Sequence, residues 1–319
     1  MDTRGAVWPR AVLSAATSVV GVIGDPVAHS LSPLLHNVAF AALGIDWVSV
    51  GFPVPAGRAD QALAGAGALG VRGLSVTMPH KDAAAALADR RTPLADLLGA
   101  VNCLIRSDDG WVGDNTDGPG LVAALRRGDR FEPEGRRCLV VGAGGAARAV
   151  IAALAGAGAS EVVVVNRSTV RAAAAASMAG PVGRVGQAAE APGCDLVVNA
   201  TPLGMERSAT AAAAASSASD TESLGADPPA WPIDPVLLHA GQMVVDLVYH
   251  PLVTPWLAAA ADQGAQVANG LGMLVHQAAL QLTAWTGLEA PVEAMWTAVG
   301  DRVRGEGGTE GPVGRALST

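Results

Sequence analysis

The chain of 319 residues is poor in several things, and each shortage narrows what it can be. It has one tyrosine, three phenylalanines and seven tryptophans, too few for an extended surface on which single-stranded nucleic acid could stack. Its formal net charge is −8 and it has no basic run, so the electrostatic footprint of a nucleic-acid binder is missing. No apolar run reaches the roughly 18 residues of a membrane-crossing helix. Ala11–Ile23 faintly resembles a secretory signal core, but Ser14, Thr17 and Ser18 interrupt it. The run also flows into a motif-dense segment at Gly24 that cleavage would damage. The three cysteines, Cys103, Cys138 and Cys194, are far apart, odd in number and set in apolar segments. That fits reduced thiols in a cytoplasmic protein, with neither a disulfide framework nor zinc spacing. The 39 glycines and 20 prolines are scattered, which excludes collagen-like and low-complexity architectures.

The sharpest shortage is lysine. Lys81 is the single lysine, against 20 arginines. A chain biased toward Arg wherever a plain positive charge suffices keeps a lysine where arginine fails. Arginine stays protonated, whereas a lysine ammonium can give up a proton.

What is present is an alternation. Short β-branched runs predict strands at Val19–Ile23, Trp47–Phe52, Gly73–Val76 and Ala100–Ile105. Others follow at Cys138–Val141, Val162–Val165, Leu196–Asn199, Met243–Leu247 and Gln266–Ala268. Helical stretches such as Pro33–Leu43, Leu121–Arg126 and Ala146–Ala155 lie between them. This βαβα rhythm predicts an α/β protein of parallel sheets covered by helices. Charge and Pro133 break the pattern near Gly128–Arg137, a place for a domain hinge. Residues 206–232, rich in Ala, Ser, Asp and Pro, read as a mobile insertion, and residues 1–17 and 305–319 as flexible ends.

The strand Cys138–Val141 runs into Gly142-Ala143-Gly144-Gly145-Ala146-Ala147 and then an alanine-rich helix. This is a dinucleotide-binding turn: the glycines let backbone approach a pyrophosphate, and the helix start offers free N–H groups. At the end of the next strand an NAD site carries an acid for the ribose hydroxyl. Here the residues are Asn166-Arg167-Ser168, with Arg171 one helical turn on. Two guanidiniums and a hydroxyl suit a 2′-phosphate, so the predicted cofactor is NADP.

Other segments are polar where strands and helices meet. Ser30-Leu31-Ser32-Pro33 reads as a helix start with Ser32 as N-cap and Pro33 at the first helical position, aimed at a small carboxylate. Thr77 and Lys81 follow the strand Gly73–Val76, at the edge where open α/β sheets bind ligands. Gly99-Ala100-Val101-Asn102 and Gly113-Asp114-Asn115-Thr116-Asp117-Gly118 come next, the latter opening a helix. Gln277 shares a helix face with Met273, Leu280 and Ala284, and a buried amide there needs a partner. His29, His80 and His276 read as structural or surface histidines.

Together these segments resemble the shikimate dehydrogenase family over residues 19–300. The matching motifs, in order, are Ser-Leu-Ser-Pro at 30–33, Val-Thr-Met-Pro-His-Lys at 76–81, Gly-Ala-Val-Asn at 99–102 and Gly-Asp-Asn-Thr-Asp-Gly at 113–118. Gly-Ala-Gly-Gly-Ala at 142–146, Asn-Arg-Ser at 166–168, Asn-Ala-Thr-Pro at 199–202 and Gly-Leu-Gly-Met-Leu at 270–274 complete the set. The resemblance implies an NADPH-dependent reduction of 3-dehydroshikimate to shikimate, a step toward chorismate and the aromatic amino acids. It puts the catalytic pair on Lys81 and Asp117, and the substrate carboxylate on Ser30 and Ser32. Further substrate contacts fall on Thr77, Asn102, Tyr249 and Gln277. Cofactor contacts fall on Gly142, Ala143, Gly144, Gly145, Ala146, Asn166, Arg167, Ser168 and Arg171, with Leu247 and Gly270 beside the nicotinamide. No metal is implied, because the Lys81 ammonium supplies the positive charge.

The implied fold is an N-terminal α/β substrate-binding domain (residues 18–120, completed by helices at 271–300) and a C-terminal Rossmann-type parallel-sheet NADP-binding domain (121–270). Expected partners are small molecules only, with no nucleic acid and no membrane, in a cytoplasmic monomer or homodimer. Two positions depart from the family pattern: Ser75 stands where Asn is usual, and Asn269 where Asp is usual. Relatives acting on quinate or aminoshikimate share most of these motifs, so an NAD(P)-dependent quinate/shikimate or aminoshikimate dehydrogenase stays open, as does a nucleotide-binding sensor without chemistry.

Overall fold

The computed structural model describes residues 13–128, 130–205 and 231–305. The expectations for residues 1–12, 206–230 and 306–319 lie outside the described residues. Among the described residues no helix is long and apolar enough to cross a membrane.

Two six-stranded sheets organise the chain. The first holds β1 (Ser18–Gly24), β2 (Trp47–Pro53), β3 (Gly73–Val76), β4 (Arg90–Arg91), β5 (Cys103–Ser107) and β6 (Gly110–Asp114), in the order β2-β1-β3-β5-β6-β4. Its helices are α1 (Ser32–Leu43), α2 (Ala59–Ala68), α3 (Lys81–Leu87) and α4 (Pro93–Leu98). Next comes α5 (Asp117–Arg127). The second sheet holds β7 (Arg137–Val141), β8 (Glu161–Val165), β9 (Gly183–Val185), β10 (Leu196–Asn199), β11 (Met243–Asp246) and β12 (Gln266–Asn269). All its pairs are parallel, in the order β12-β11-β10-β7-β8-β9. Counted from β7, this is the doubly wound 3-2-1-4-5-6 order, whose ligand crevice opens where the order reverses, between β7 and β10. Helices α6 (Gly145–Gly156), α7 (Thr169–Ala176) and α8 (Pro255–Asp262) cover it.

The last helices, α9 (Leu271–Thr286) and α10 (Val292–Gly305), return to the first sheet. Val275, Leu282, Met295 and Val299 share a core with Val20, Leu35 and Phe40. The Trp285 indole also donates to the Leu104 carbonyl at 3.0 Å. Between the sheets lies α5. A Cβ on Gly118 would sit 2.2 Å from the Ala149 carbonyl oxygen of α6, and one on Gly120 2.7 Å from the Gln277 nitrogen of α9. These two small residues let the helix that begins at Asp117 touch both bodies at once.

The first sheet departs from the parallel expectation, because β5 runs antiparallel to both β3 and β6. The strand predicted at Ala100–Ile105 begins only at Cys103. Ala100 and Val101 are buried loop residues, and the Val101 N–H bonds the Lys81 carbonyl instead of a strand. Strands β4, β6 and β9 lack the long β-branched runs that the sequence reading relied on. At the described margins of two segments read as loose, single side chains make contacts. Thr17 donates from its hydroxyl to Asp46 at 2.7 Å, and Trp231, near the end of the insertion, packs against the core under the second sheet.

Candidate active site

Lys81 is the first residue of α3 and Asp117 the first of α5. Lys81 Nζ donates to Asp117 Oδ2 at 2.5 Å. A cation at a helix start is opposed by the helix dipole and a carboxylate there is favoured, so Asp117 both suits its own helix and compensates Lys81. Side-chain exposure is 18% for Lys81 and 6% for Asp117, so the ammonium is the partner a ligand can reach. The other carboxylate oxygen, Oδ1, accepts from Asn102 Nδ2 at 2.7 Å. Asn102 is fixed in turn: its Oδ1 accepts from the Thr116 N–H at 2.7 Å, and its Nδ2 also lies 3.3 Å from Gln277 Oε1. Asn115 braces the turn by donating to the Ala100 carbonyl and accepting from the Asp117 N–H. Residues 102, 115–117 and 277 thus form one hydrogen-bonded unit behind the ammonium.

The glycine turn stands beside it. A Cβ on Gly145 would lie 3.8 Å from Lys81 Cδ. Gly142 has φ +122, and a Cβ there would meet the Ala200 oxygen at 2.9 Å, so the turn requires glycine. Gly144 faces open space, and no side chain caps the start of α6. That leaves free N–H groups and a positive helix end for a pyrophosphate. At the end of β8, Asn166 Nδ2 donates to the Ser168 carbonyl, and Ser168 Oγ caps α7 by accepting from the Arg171 N–H. Arg167 and Arg171 are exposed and have no acidic partner among the described residues. Two unpaired guanidiniums at this strand end suit a 2′-phosphate, so the residues present fit NADP.

Residues 22–104 match the shikimate dehydrogenase substrate binding domain, residues 125–201 the shikimate / quinate 5-dehydrogenase family and residues 270–299 the shikimate 5'-dehydrogenase C-terminal domain. A shikimate dehydrogenase (NADP(+)) of Geobacter sp. strain M21 is 43% identical over 302 residues, covering 91% of this chain and 97% of the relative. The chain belongs to the shikimate dehydrogenase family. The crystal structure of shikimate 5-dehydrogenase from Thermus thermophilus in complex with NADP(H) and shikimate superposes with a TM-score of 0.78 at 36% identity, covering 91% of this chain and 100% of that one. The ligand-free 5-ketofructose reductase of Gluconobacter sp. strain CHM43 has a TM-score of 0.74 at 27% identity, over 90% and 99% of the two chains. The backbone framework alone therefore does not choose the substrate, and the side chains at the site must.

For this member of the family, one sequence reading needs correction. Ser32 does not cap α1: the helix begins at Ser32, Leu31 precedes it, and no side-chain cap bond forms. Ser30 Oγ instead accepts from the Ser32 N–H at 3.3 Å. The hydroxyl of Ser32 has no partner among the described residues. Thr77 lies at the neighbouring strand end, its methyl so close to Gly24 that a Cβ there would sit 2.4 Å away. Leu247 and Gly270 touch, because a Cβ on Gly270 would lie 2.1 Å from the Leu247 oxygen. Among the described residues Tyr249 makes no hydrogen bond to the unit behind the ammonium. It packs against the apolar core that α9 shares with the first sheet, burial pushes its phenol up, and its hydroxyl has no partner among the described residues. Asn269 accepts from the Leu271 N–H at the start of α9 and donates to the Leu252 carbonyl, a donation a carboxylate could not make.

Three groups escaped the sequence reading. Asp246 is fully buried at the end of β11, where its carboxylate accepts from Asn199 Nδ2, Thr254 Oγ1 and the Val248 N–H; burial pushes its pKa up. Arg148 of α6 reaches across to Asp82 at 2.7 Å and to the Leu98 carbonyl at 2.8 Å. Gln281 follows Gln277 by four residues, a spacing that sets both on one helix face and could have flagged it.

Proposed function

We infer that this chain catalyses the NADP-dependent, reversible reduction of 3-dehydroshikimate to shikimate, a step toward chorismate and the aromatic amino acids. The observation that carries the reading is the Lys81–Asp117 pair at 2.5 Å, set against the glycine turn through Gly145. Bound NADPH supplies the hydride. Lys81 faces the ketone oxygen, stabilises the negative charge that grows there and delivers a proton from Nζ. In the reverse direction Lys81 takes that proton. Asp117 orients the ammonium and the substrate hydroxyl, and Asn102 keeps Asp117 in place. Ser30 and Ser32 hold the substrate carboxylate, with Thr77, Tyr249 and Gln277 contacting the ring substituents. Arg167 and Arg171 hold the 2′-phosphate, supported by Ser168 and Asn166. Gly142–Ala146 approach the pyrophosphate, and Leu247 and Gly270 flank the nicotinamide.

In this reading residues 18–120 and 271–300 bind substrate and residues 121–270 bind cofactor. The proposed compartment is the cytoplasm, supported by three buried free thiols. The proposed assembly is a monomer or a homodimer, which light scattering distinguishes. The deciding assay follows formation of the reduced dinucleotide by the purified chain with shikimate or quinate, each with NADP or NAD. Turnover with shikimate and NADP is expected to exceed the other three combinations; preference for quinate would overturn the substrate, and preference for NAD the cofactor.

A further inference from the structure

Three strands of the second sheet end on polar residues in one row. Asn199, Asp246 and Asn269 are the last residues of β10, β11 and β12, and Asp246 stands in register between the other two. All three are buried, Asn199 and Asp246 completely. Each side chain accepts from the backbone N–H two residues on: Asn199 from Thr201 at 3.0 Å, Asp246 from Val248 at 3.1 Å and Asn269 from Leu271 at 3.0 Å. The row therefore sets how the chain leaves the sheet at three neighbouring points.

Asp246 does more than turn its own strand. Its Oδ1 also accepts from Asn199 Nδ2 at 2.9 Å, and its Oδ2 accepts from the Thr254 hydroxyl at 2.7 Å. Every one of these partners donates. Asn199 Oδ1 is taken by the Thr201 N–H and hydroxyl, so its amide turns Nδ2 toward Asp246. Thr254 Oγ1 accepts from the Leu257 N–H in the first turn of α8, which leaves its hydrogen for the acid. Three donors on one acid call for the carboxylate, although burial pushes its pKa up. The two oxygens thus hold opposite ends of one loop, residues 247–254, at Val248 and at Thr254. Further bonds fasten the same loop: the Leu247 N–H to the Asn199 carbonyl at 3.0 Å, the Gly270 N–H to the Val248 carbonyl at 3.2 Å and Asn269 Nδ2 to the Leu252 carbonyl at 2.9 Å. In this loop the proposed nicotinamide neighbour Leu247 and the proposed substrate contact Tyr249 stand two residues apart.

We propose that Asp246 is a positioning residue for hydride transfer, its carboxylate closing the loop 247–254 so that Leu247 meets the nicotinamide while Tyr249 meets the substrate. The proposal rests on the reading of those two residues as ligand contacts. Steady-state kinetics of the purified full chain test it with Asp246→Asn, Thr254→Val, their double variant and Thr254→Ser. Binding of 2′-phospho-ADP-ribose, the part of NADP that lacks nicotinamide, is measured beside them. Asp246→Asn keeps the shape but turns an NH2 toward one of the donors, and Thr254→Val removes the hydroxyl. Each is expected to lower kcat/KM for shikimate about tenfold, the scale of one lost hydrogen bond to a charged group. The double variant should lose well under about a hundredfold, because residues in one network are not additive. Thr254→Ser keeps the hydroxyl for both the carboxylate and the helix start, so it should stay within about twofold of the unaltered chain. The dissociation constant of 2′-phospho-ADP-ribose should stay within about twofold throughout, since Gly142–Ala146, Arg167 and Arg171 are the groups that hold it. A matching loss of 2′-phospho-ADP-ribose affinity, a full product of the losses in the double variant, or a Thr254→Ser as poor as Thr254→Val would reduce Asp246 to a residue of the fold. Leu247→Ala and Tyr249→Phe keep the two readings apart. Unchanged kinetics in both would withdraw the ligand contacts, whereas a loss in either with none in Asp246→Asn would withdraw the positioning role alone. Should Asp246→Asn fail to fold, the comparison of Thr254→Val with Thr254→Ser decides the same question.

Discussion

At the carboxyl edge of the first sheet, Lys81, Asp117, Asn102 and Gln277 hold one another through side-chain hydrogen bonds before any ligand arrives. At the same edge of the second sheet, Gly142–Ala146 offer bare backbone, and Arg167 and Arg171 stand exposed without an acidic partner among the described residues. The first arrangement is pre-organised, so charge that develops on the reacting oxygen meets groups that need not move. The second relies on backbone donors and charge, which hold an anion firmly but are screened by salt. Loss of one group should therefore damage turnover at the first edge and affinity at the second.

The largest expected effect is at Lys81. Lys81→Arg keeps the charge but is a poor proton donor, and its planar fork does not suit a point contact. Lys81→Met removes the charge as well. Both should lower turnover at least about 10²-fold, the range for lost acid–base help, with smaller changes in shikimate and NADP binding. Asp117→Asn should also cut turnover, and the double variant should lose less than the two single losses combined. Turnover of purified Lys81→Arg at saturating substrates decides it, and a value near wild type would leave Lys81 as a binding charge only.

At the second edge, Arg167→Ala should weaken NADP binding roughly tenfold to a hundredfold, since a charge-assisted bond contributes about 1.5–3 kcal/mol. NAD lacks the 2′-phosphate, so its binding should change much less. The salt dependence of NADP binding should also flatten. Calorimetric titration with both dinucleotides at two salt concentrations checks this, and equal losses for both would assign Arg167 to the fold.

The same contrast explains what the sequence made legible. The cofactor edge is built from consecutive residues, so Gly142–Ala146 and Asn166–Ser168 carry their chemistry in local spacing. Five of the six strands of the doubly wound sheet were legible for a related reason, because buried parallel strands carry β-branched runs such as Val162–Val165, whereas β9 has none. The substrate edge is assembled from α3, α5, α9 and the segment before β5. Motifs marked Lys81, Asp117 and Gln277, yet nothing local says that Gln281 bonds the carbonyl of Asn102, 179 residues away. Strand β6 was missed because Gly110-Trp111-Val112-Gly113-Asp114 has the composition of a turn and is held as a strand by pairing with β5.

Acid stability gives a smaller effect that separates the two bodies. His36 in the first is held near pKa 3 by burial, against an ordinary value of 6.5. The unfolded chain takes up a proton as pH falls through 6.5, while the folded chain resists it until about pH 3. The stability tied to His36 is therefore full above 6.5 and is lost progressively as pH falls below it. In the second body, Arg184 holds Glu190 down to about 2, and that contribution starts to fade only below the ordinary carboxylate value of 4.5. Buried Asp246, shifted upward, acts with the opposite sign, losing stability as pH rises through its folded value. Between pH 6 and pH 5 the wild type should lose roughly 1 kcal/mol more than His36→Phe. Urea midpoints of both proteins at the two pH values measure the difference, and parallel losses would mean that His36 takes up its proton without unfolding.

The smallest expected effect separates Ser30 from Ser32. Both hydroxyls are proposed to hold the substrate carboxylate, so either alanine variant should raise the KM for shikimate. Their structural roles differ. Ser30 Oγ accepts from the Ser32 N–H, one of the unpaired donors at the start of α1, whereas Ser32 sits inside the helix and caps nothing. The Ser30 bond is long at 3.3 Å, so its loss should sit at the low end for a hydrogen bond, about 0.5 kcal/mol. Ser32→Ala should leave stability unchanged or slightly improved, because alanine favours a helix more than serine does. Paired thermal melts and shikimate kinetics separate the two roles: kinetics should move in both variants and stability only in Ser30→Ala. A stability loss confined to Ser32→Ala would return the capping role to Ser32, and unchanged kinetics in both would move the carboxylate elsewhere.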